Sequence, residues 1–255
     1  MNKLLFASLL LSLFSLNLFA QGGMWTWMRG DGNTSLSAGS YGTQGVTAVT
    51  NNPPARYNTS HWIDTAGNFW IFGGFRNNGT NFTDLWKYEP NNNVWTWIKG
   101  NMNGAGAAGN FGTQGVAAST NNPPANSLTS VTWTDTLNNL WLYHKYGDLW
   151  KYTMLTNEWT WMKGSGVAGQ TPIYGVQGIP ASANTPGSNI ENKAAWTDSL
   201  NNLWLYNKGN MWKYSILTNE WTWMKGNGSA NVVDFGTQGV PGPTVQPEQE
   251  DSYIQ

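Results

Sequence analysis

Three aspartates recur in one sequence element and are the first candidates for chemistry. The element reads Trp, Thr or Ile, Asp, three residues, Asn, one residue and Trp, and it contains Asp64, Asp135 and Asp198. Such carboxylates could serve as acid and base in glycoside hydrolysis, or could cap a turn by accepting hydrogen bonds from the backbone amides that follow. A site for an acidic sugar would also need clustered arginines, and the three arginines of this chain are scattered. We therefore expect structural turn caps.

Other residue types that carry chemistry are sparse. The chain has no cysteine and two histidines, His61 and His144, which occupy non-equivalent positions of the repeated sequence unit described below. Thiolate chemistry is excluded, a histidine metal site is not expected, and His61 is interpreted as an ordinary polar residue of a strand. The glycines between Gly100 and Gly112 lack the strand-to-helix context of a phosphate loop. The sequence therefore predicts no catalytic residue, no metal and no cofactor.

The composition favours an all-β fold. Of 255 residues, 17 are Trp, 30 are Gly and only 11% are charged, against about 25% charged in typical domains. Disordered segments lack aromatic residues, so most of the chain is expected to fold. A net charge of −1 gives no broad attraction to nucleic acid or to an anionic membrane.

The first 20 residues resemble a secretory leader. Lys3 is followed by an apolar run from Leu4 to Leu18 and by the small residue Ala20, which together predict a cleaved signal peptide. An uncleaved membrane anchor is the alternative, although the run is short for a span. No later segment is predicted to cross a membrane, so we expect a secreted or cell-surface protein, with the periplasm as a second location.

An internal repeat dominates the rest of the sequence. WTW begins at Trp25, Trp95, Trp159 and Trp221, at separations of 70, 64 and 62 residues. A second marker, of the form aromatic-G-[TV]-Q-G-[VI], begins at Tyr41, Phe111, Tyr174 and Phe235, and a third, [LM]WKY, begins at Leu85, Leu149 and Met211. Three markers in a fixed order indicate one structural unit that is copied along the chain.

Each unit is predicted to contain four short antiparallel strands. In the first unit they are 60–64, 69–74, 84–90 and 94–98, separated by turns rich in Gly and Asn. In the segment that starts at Leu140, Leu and aromatic residues alternate, so both faces of the strand are apolar. A sheet with one wet face would alternate polar and apolar residues, which favours sheets stacked face to face. Sheets stacked in this way form the blades of a β-propeller; a β-sandwich or an open stack of sheets is the alternative.

The first unit resembles the kelch repeat of galactose-oxidase-type β-propellers. The likeness rests on R-x-x-x-S-x-W-x-D-x-x-G-N-x-W-x-F-G-G from Arg56 to Gly74 and on DLWKYEPNNNVW from Asp84 to Trp95. More narrowly, it resembles long kelch-like repeats of secreted bacterial proteins. Units two and three depart from the pattern, because Gly73–Gly74 is replaced by His144–Lys145 and by Asn207–Lys208, and the connection to the third strand is shorter.

The resemblance implies a propeller-like array of three four-stranded blades, with the strands of each blade in chain order from the axis outward. It makes the strand at Trp25 an orphan outer strand and Asp251–Gln255 the start of an inner strand. We therefore expect an incomplete array, open or truncated, with self-association to complete a ring as the alternative. The copper-radical chemistry of galactose oxidase needs a Tyr–Cys link, which a chain without cysteine cannot form.

The domain organisation follows from the repeat. The predicted order is signal peptide 1–20, orphan strand and connector 21–58, blade 59–100, connector 101–128, blade 129–164, connector 165–192, blade 193–226, and connector with the start of a truncated fourth blade 227–255.

Recurrent aromatic residues fall into two groups. The tryptophans of the strands are predicted to fill the core between blades; they are Trp70, Trp86, Trp97, Trp141, Trp150, Trp161, Trp204, Trp212 and Trp223. The aromatic residues of the connectors are the predicted contacts for a ligand; they are Tyr41, Phe111, Tyr174 and Phe235. These patterns predict a non-catalytic module that binds a protein or a glycan through its loops. The alternatives are a polysaccharide hydrolase or lyase, and a non-functional fragment of a larger repeat protein.

Overall fold

The structure is a computed structural model. It describes residues 25–30, 37–76, 78–104, 108–125, 130–188, 194–228, 236–238 and 240–242. The predicted signal peptide, Phe235 and the last five residues lie outside these ranges.

Among the described residues, twelve strands form three separate four-stranded antiparallel sheets, each with its strands in chain order. Sheet 1 contains β1 (Ser60–Ile63), β2 (Phe69–Phe72), β3 (Leu85–Glu89) and β4 (Val94–Lys99). Sheet 2 contains β5 (Val131–Thr134), β6 (Leu140–Tyr143), β7 (Leu149–Thr153) and β8 (Glu158–Lys163). Sheet 3 contains β9 (Ala194–Thr197), β10 (Leu203–Asn207), β11 (Asn210–Ser215) and β12 (Glu220–Lys225). The predicted all-β fold with three four-stranded sheets is confirmed.

The strands end where the sequence supplies residues that tolerate left-handed backbone. β2 ends at Phe72, before Gly73 and Gly74, whose φ angles are 68° and 85°, so the segment predicted to reach Gly74 is shorter than expected. The turns between the third and fourth strands contain Asn93, Asn157 and Asn219, with φ between 52° and 57°. Each of these asparagines accepts a hydrogen bond from a tyrosine hydroxyl of its own sheet, at 2.6 to 2.9 Å.

The core lies between neighbouring sheets. Sheet 1 contributes Trp62, Trp70, Phe72 and Leu85 to the first interface, and sheet 2 contributes Leu140, Leu142, Trp150, Tyr152 and Trp159. Sheet 2 contributes Val131, Trp133, Trp141, Tyr143 and Leu149 to the second, and sheet 3 contributes Leu203, Leu205, Trp212, Tyr214 and Trp221. Both faces of sheet 2 are therefore buried, as its doubly apolar strands predict.

The first strands of the sheets lie side by side. The Thr132 hydroxyl of β5 donates to the carbonyl of His61 in β1 at 2.8 Å, and the Thr197 hydroxyl of β9 approaches the carbonyl of Thr134 at 3.4 Å. Indoles also link the sheets: Trp62 Nε1 donates to the Trp141 carbonyl at 2.9 Å, and Trp133 Nε1 to the Trp204 carbonyl at 3.0 Å. The stacking is therefore specific in register as well as apolar.

The connectors cover the outer edge of each sheet. The amides of Gly45, Gly115 and Gly178 each donate to an outer-strand carbonyl at 2.8 Å. Buried asparagines complete this contact, with each side-chain amide bonded to a connector carbonyl and to an outer-strand carbonyl; they are Asn51, Asn121 and Asn184. An exposed strand edge is a template for aggregation, so this pairing protects the periphery.

Within the described ranges no helix has the length and apolar character needed to cross a membrane.

Candidate functional site

The recurring aspartates are engaged in turns. Asp64 Oδ1 accepts from the amides of Ala66 and Asn68 at 3.0 and 2.9 Å, while Oδ2 accepts from the Asn68 side chain and from Trp70 Nε1. Asp135 and Asp198 repeat this arrangement with the residues that follow them. Each carboxylate thereby connects a hairpin turn to the indole of a tryptophan in the strand that follows the turn.

The ionisation of these aspartates matches the same contacts. Burial tends to raise the pKa of Asp198, but hydrogen bonds from Trp204, Asn202 and Leu200 outweigh it and lower the pKa to about 2. The pKa of Asp64 is also below its ordinary value for the corresponding reasons. A general acid near neutral pH requires the opposite shift, so these two groups are unsuited to that role.

The strand tryptophans lie in or beside the core. Buried members are Trp70, Trp86, Trp97, Trp141, Trp150 and Trp212, while Trp161, Trp204 and Trp223 are partly buried. The connector aromatics pack on them in pairs: Tyr41 on Trp86 and Trp97, Phe111 on Trp150 and Trp161, and Tyr174 on Trp212 and Trp223. Tyr41 is buried, whereas the side chains of Phe111 and Tyr174 are partly accessible. Phe235 lies outside the described residues.

We call the place where each connector aromatic meets the start of the third strand a corner. In the corner of sheet 1, Asp84 is fully buried and pairs with Arg56, whose guanidinium also lies 3.9 Å from the ring of Phe82. The Tyr41 hydroxyl donates to Asp84 at 2.6 Å and Trp86 Nε1 donates to it at 2.8 Å. The long connection between β2 and β3 supplies Phe82, so this corner is filled.

The corner of sheet 2 is filled differently. The connection from β6 to β7 places His144 in the interior, with Nε2 at 3.3 Å from the carbonyl of Ala125. Asp148 replaces Asp84, and its Oδ1 accepts from the Gly166 amide at 2.9 Å and from Gln170 Nε2 at 3.2 Å. Burial raises the pKa of Asp148, since these partners are neutral.

The corner of sheet 3 contains a cavity of about 370 Å³. Here β10 and β11 are joined by a two-residue turn, Lys208–Gly209, with φ angles of 49° and 71°. This turn is shorter than the connections that supply Phe82 to the corner of sheet 1 and His144 to the corner of sheet 2. The cavity is lined by Gln170, Thr171, Pro172, Tyr174, Pro186, Ser188, Asn207, Lys208, Asn210, Trp212 and Gly228.

The lining combines one aromatic surface with several polar groups. The rings of Tyr174 and Trp212 stack at 5.2 Å with an angle of 29° between their planes. Gln170, Ser188 and Lys208 contribute polar side chains to the lining. The Gln170 amide also donates to the Tyr146 carbonyl at 2.9 Å, and the Ser188 hydroxyl donates to the Gln170 carbonyl at 3.0 Å. Small-molecule sites have volumes of about 300–1,000 Å³ and join apolar walls to a few polar groups. The residues described around the cavity include no carboxylate, histidine or cysteine.

The described residues contain no group of three or more His, Cys, Asp or Glu side chains that could hold a metal ion. The three arginines are each held by structural contacts: Arg56 by Asp84, Arg76 by the carbonyls of Ala55 and Ser37, and Arg29 by backbone carbonyls of sheet 1 and its connector.

Compared with known proteins, the chain matches no protein-family model, and no curated sequence matches it.

Proposed function

We propose that this protein is a secreted or cell-surface, non-catalytic binding module that holds a glycan in the cavity of sheet 3. The single observation that carries the proposal is the cavity itself, with the stacked Tyr174–Trp212 pair beside amide and hydroxyl groups. A sugar ring offers a flat apolar face and a rim of hydroxyls. The cavity offers the partly accessible ring of Tyr174 for the first, since Trp212 is only 1% exposed, and polar groups for the second.

We further propose that the three sheets are consecutive blades of a kelch-like propeller. The proposal is supported by the side-by-side first strands, by the strand order within each sheet and by the burial of both faces of sheet 2. The leader-like first 20 residues support export. Corners of adjacent blades would then lie at one end of the array, where loops commonly bind ligands.

A blocking substitution tests the glycan site. Thr171 is exposed at the cavity, so Thr171→Trp should fill the opening without disturbing the fold. We expect the chain to bind at least one oligosaccharide on a glycan array, and Thr171→Trp to weaken that binding by tenfold or more in isothermal titration calorimetry.

The matched control is Ala108→Trp, because Ala108 is the equivalent exposed position beside the filled corner of sheet 2. This variant should bind as the wild type does. Equal loss of binding in both variants, or none in either, would contradict the proposed site. Release of reducing ends from the bound glycan would instead favour the hydrolase or lyase.

A further inference from the structure

The repeat leaves one apolar face uncovered at each end of the stack. Trp62 and Trp133, in the first strands of sheets 1 and 2, are 4% and 3% exposed, whereas the equivalent Trp196 of sheet 3 is 41% exposed. At the other end, Leu140 and Leu203 are 0% exposed, whereas the equivalent Phe69 of sheet 1 is 46% exposed. The difference arises because these two faces have no neighbouring sheet among the described residues.

The two uncovered faces are opposite halves of one interface. On the end face of sheet 3 lie Trp196, Trp204, Tyr206 and Met211. The equivalent residues of sheet 1 pack against sheet 2, and those of sheet 2 pack against sheet 3. On the end face of sheet 1 lie Phe69, Ile71, Trp86, Tyr88 and Trp95, and the equivalent residues of sheets 2 and 3 pack against the preceding sheet. Phe69 is the exposed residue of this face, whereas Trp86 and Tyr88 are only 0% and 8% exposed. The chain therefore carries both partners of a contact that it already makes twice internally.

We propose that the end face of sheet 3 binds the end face of sheet 1 in a second copy of this chain. Continuity with the internal interfaces assigns the register. The indoles of Trp62 and Trp133 donate to the carbonyls of Trp141 and Trp204, so Trp196 Nε1 donates to the carbonyl of Trp70 in the second copy. Such a contact joins different surfaces of two identical chains and is heterologous.

One segment of the chain partly occupies the receiving face. Arg29 donates to the carbonyls of Asn93 at 3.0 Å and Asn51 at 3.2 Å, and also to the carbonyl of Val49. In the next unit the equivalent hydrogen bond runs from Lys99 to the carbonyl of Ser119. Residues 25–30 thus lie where the outer strand of a preceding sheet would lie. A groove of about 440 Å³ remains between this segment and Ile71, Tyr88 and Trp95. Binding of the second copy displaces residues 25–30.

Complementary variants test the proposal by sedimentation velocity across a dilution series. The wild type should associate with increasing concentration. Phe69→Lys, on the receiving face, and Trp196→Lys, on the donating face, should each be monomeric. An equimolar mixture of the two should form a dimer, because the first variant keeps its donating face and the second keeps its receiving face.

Leu155→Lys is the control, because Leu155 is 95% exposed in the turn between β7 and β8 and lies on neither face; it should associate as the wild type does. Arg29→Ala should lower the dissociation constant about tenfold, since displacement then breaks no charge-assisted hydrogen bonds. A monomeric wild type, association of Phe69→Lys alone, or a mixture that stays monomeric would overturn the proposal.

Discussion

At the scale of single residues, equivalent positions in the three units show how the environment decides the role of a carboxylate. Asp84, Asp148 and Asn210 each begin a third strand or directly precede it, and all three are buried. Asp84 is neutralised by Arg56, and Asn210 carries no charge. Asp148 is a buried acid with neutral partners, and its Oδ2 has no hydrogen-bond partner. Asp148 is therefore expected to destabilise the fold when it is ionised.

Asp148→Asn should stabilise the protein at neutral pH. Burial raises the pKa of Asp148, so the folded state binds the proton more tightly than the unfolded state does. The free energy of unfolding of the wild type should then fall as pH rises from the ordinary aspartate pKa through the raised one. Asparagine, as at position 210, can donate to the carbonyl two residues earlier. We expect a gain of about 1–3 kcal/mol at pH 7 in chemical denaturation.

The pH dependence separates this effect from a general improvement in packing. The gain from Asp148→Asn should shrink as pH falls through the same interval. Asp84→Asn is the contrasting variant, because it leaves Arg56 without its buried partner, and it should lose about 3–5 kcal/mol. A loss of stability for Asp148→Asn at pH 7, or an unchanged pH profile, would contradict the interpretation.

At the scale of elements, the connectors act as edge strands that are fixed by buried asparagines. Asn121 donates to the Val116 carbonyl at 2.9 Å and to the Trp159 carbonyl at 3.0 Å. Its Oδ1 lies where a side chain on Gly112 would be, because a Cβ at Gly112 would approach it to 2.3 Å. Asn121 can therefore adopt this position only if residue 112 has no side chain.

Two glycine substitutions test this dependence in one connector. Gly112 and Gly115 both have positive φ angles, 62° and 81°, but a Cβ at Gly115 would meet open space. Gly115→Ala should cost about 1 kcal/mol, the strain of left-handed backbone. Gly112→Ala should cost a further ~1–3 kcal/mol for the overlap with Asn121. Thermal and denaturant unfolding measure both, and equal losses would show that the overlap is relieved without cost.

The sequence predicts the strands better than it predicts the corners. Alternation of Leu and aromatic residues, together with the repeated turns, places the twelve strands of the described residues, because both patterns are local. The orphan strand predicted at Trp25 was wrong, because residues 25–30 form no strand. Asn51, Asn121 and Asn184 were missed, although each follows its connector aromatic by ten residues; that constant spacing was the available signal. Whether a corner contains a cavity depends on side chains from other parts of the chain, such as Phe82 and Arg56 in the corner of sheet 1. The spacing of the repeat does not show which corners are filled. The short connection between β10 and β11 can be read from the sequence, but the cavity beside it cannot.

At the scale of the whole molecule, stability comes from contacts between neighbours in the stack, as in other repeat proteins. Each sheet has two apolar faces, and sheet 2 has both of them covered. Sheets 1 and 3 each have one apolar face without a neighbouring sheet among the described residues. This arrangement accounts for the high Trp content and for the proposed self-association.

The most direct test of stacking compares one repeat position in three sheets. Leu140 and Leu203 are 0% exposed at the two internal interfaces, whereas Phe69 is 46% exposed on the end face. In dilute solution, where the protein is monomeric, Leu140→Ala and Leu203→Ala should each lower the free energy of unfolding by about 2–5 kcal/mol. Phe69→Ala should lower it by less than about 1 kcal/mol. Comparable losses at all three positions would contradict the account, because they would show that burial at this position does not depend on a neighbouring sheet.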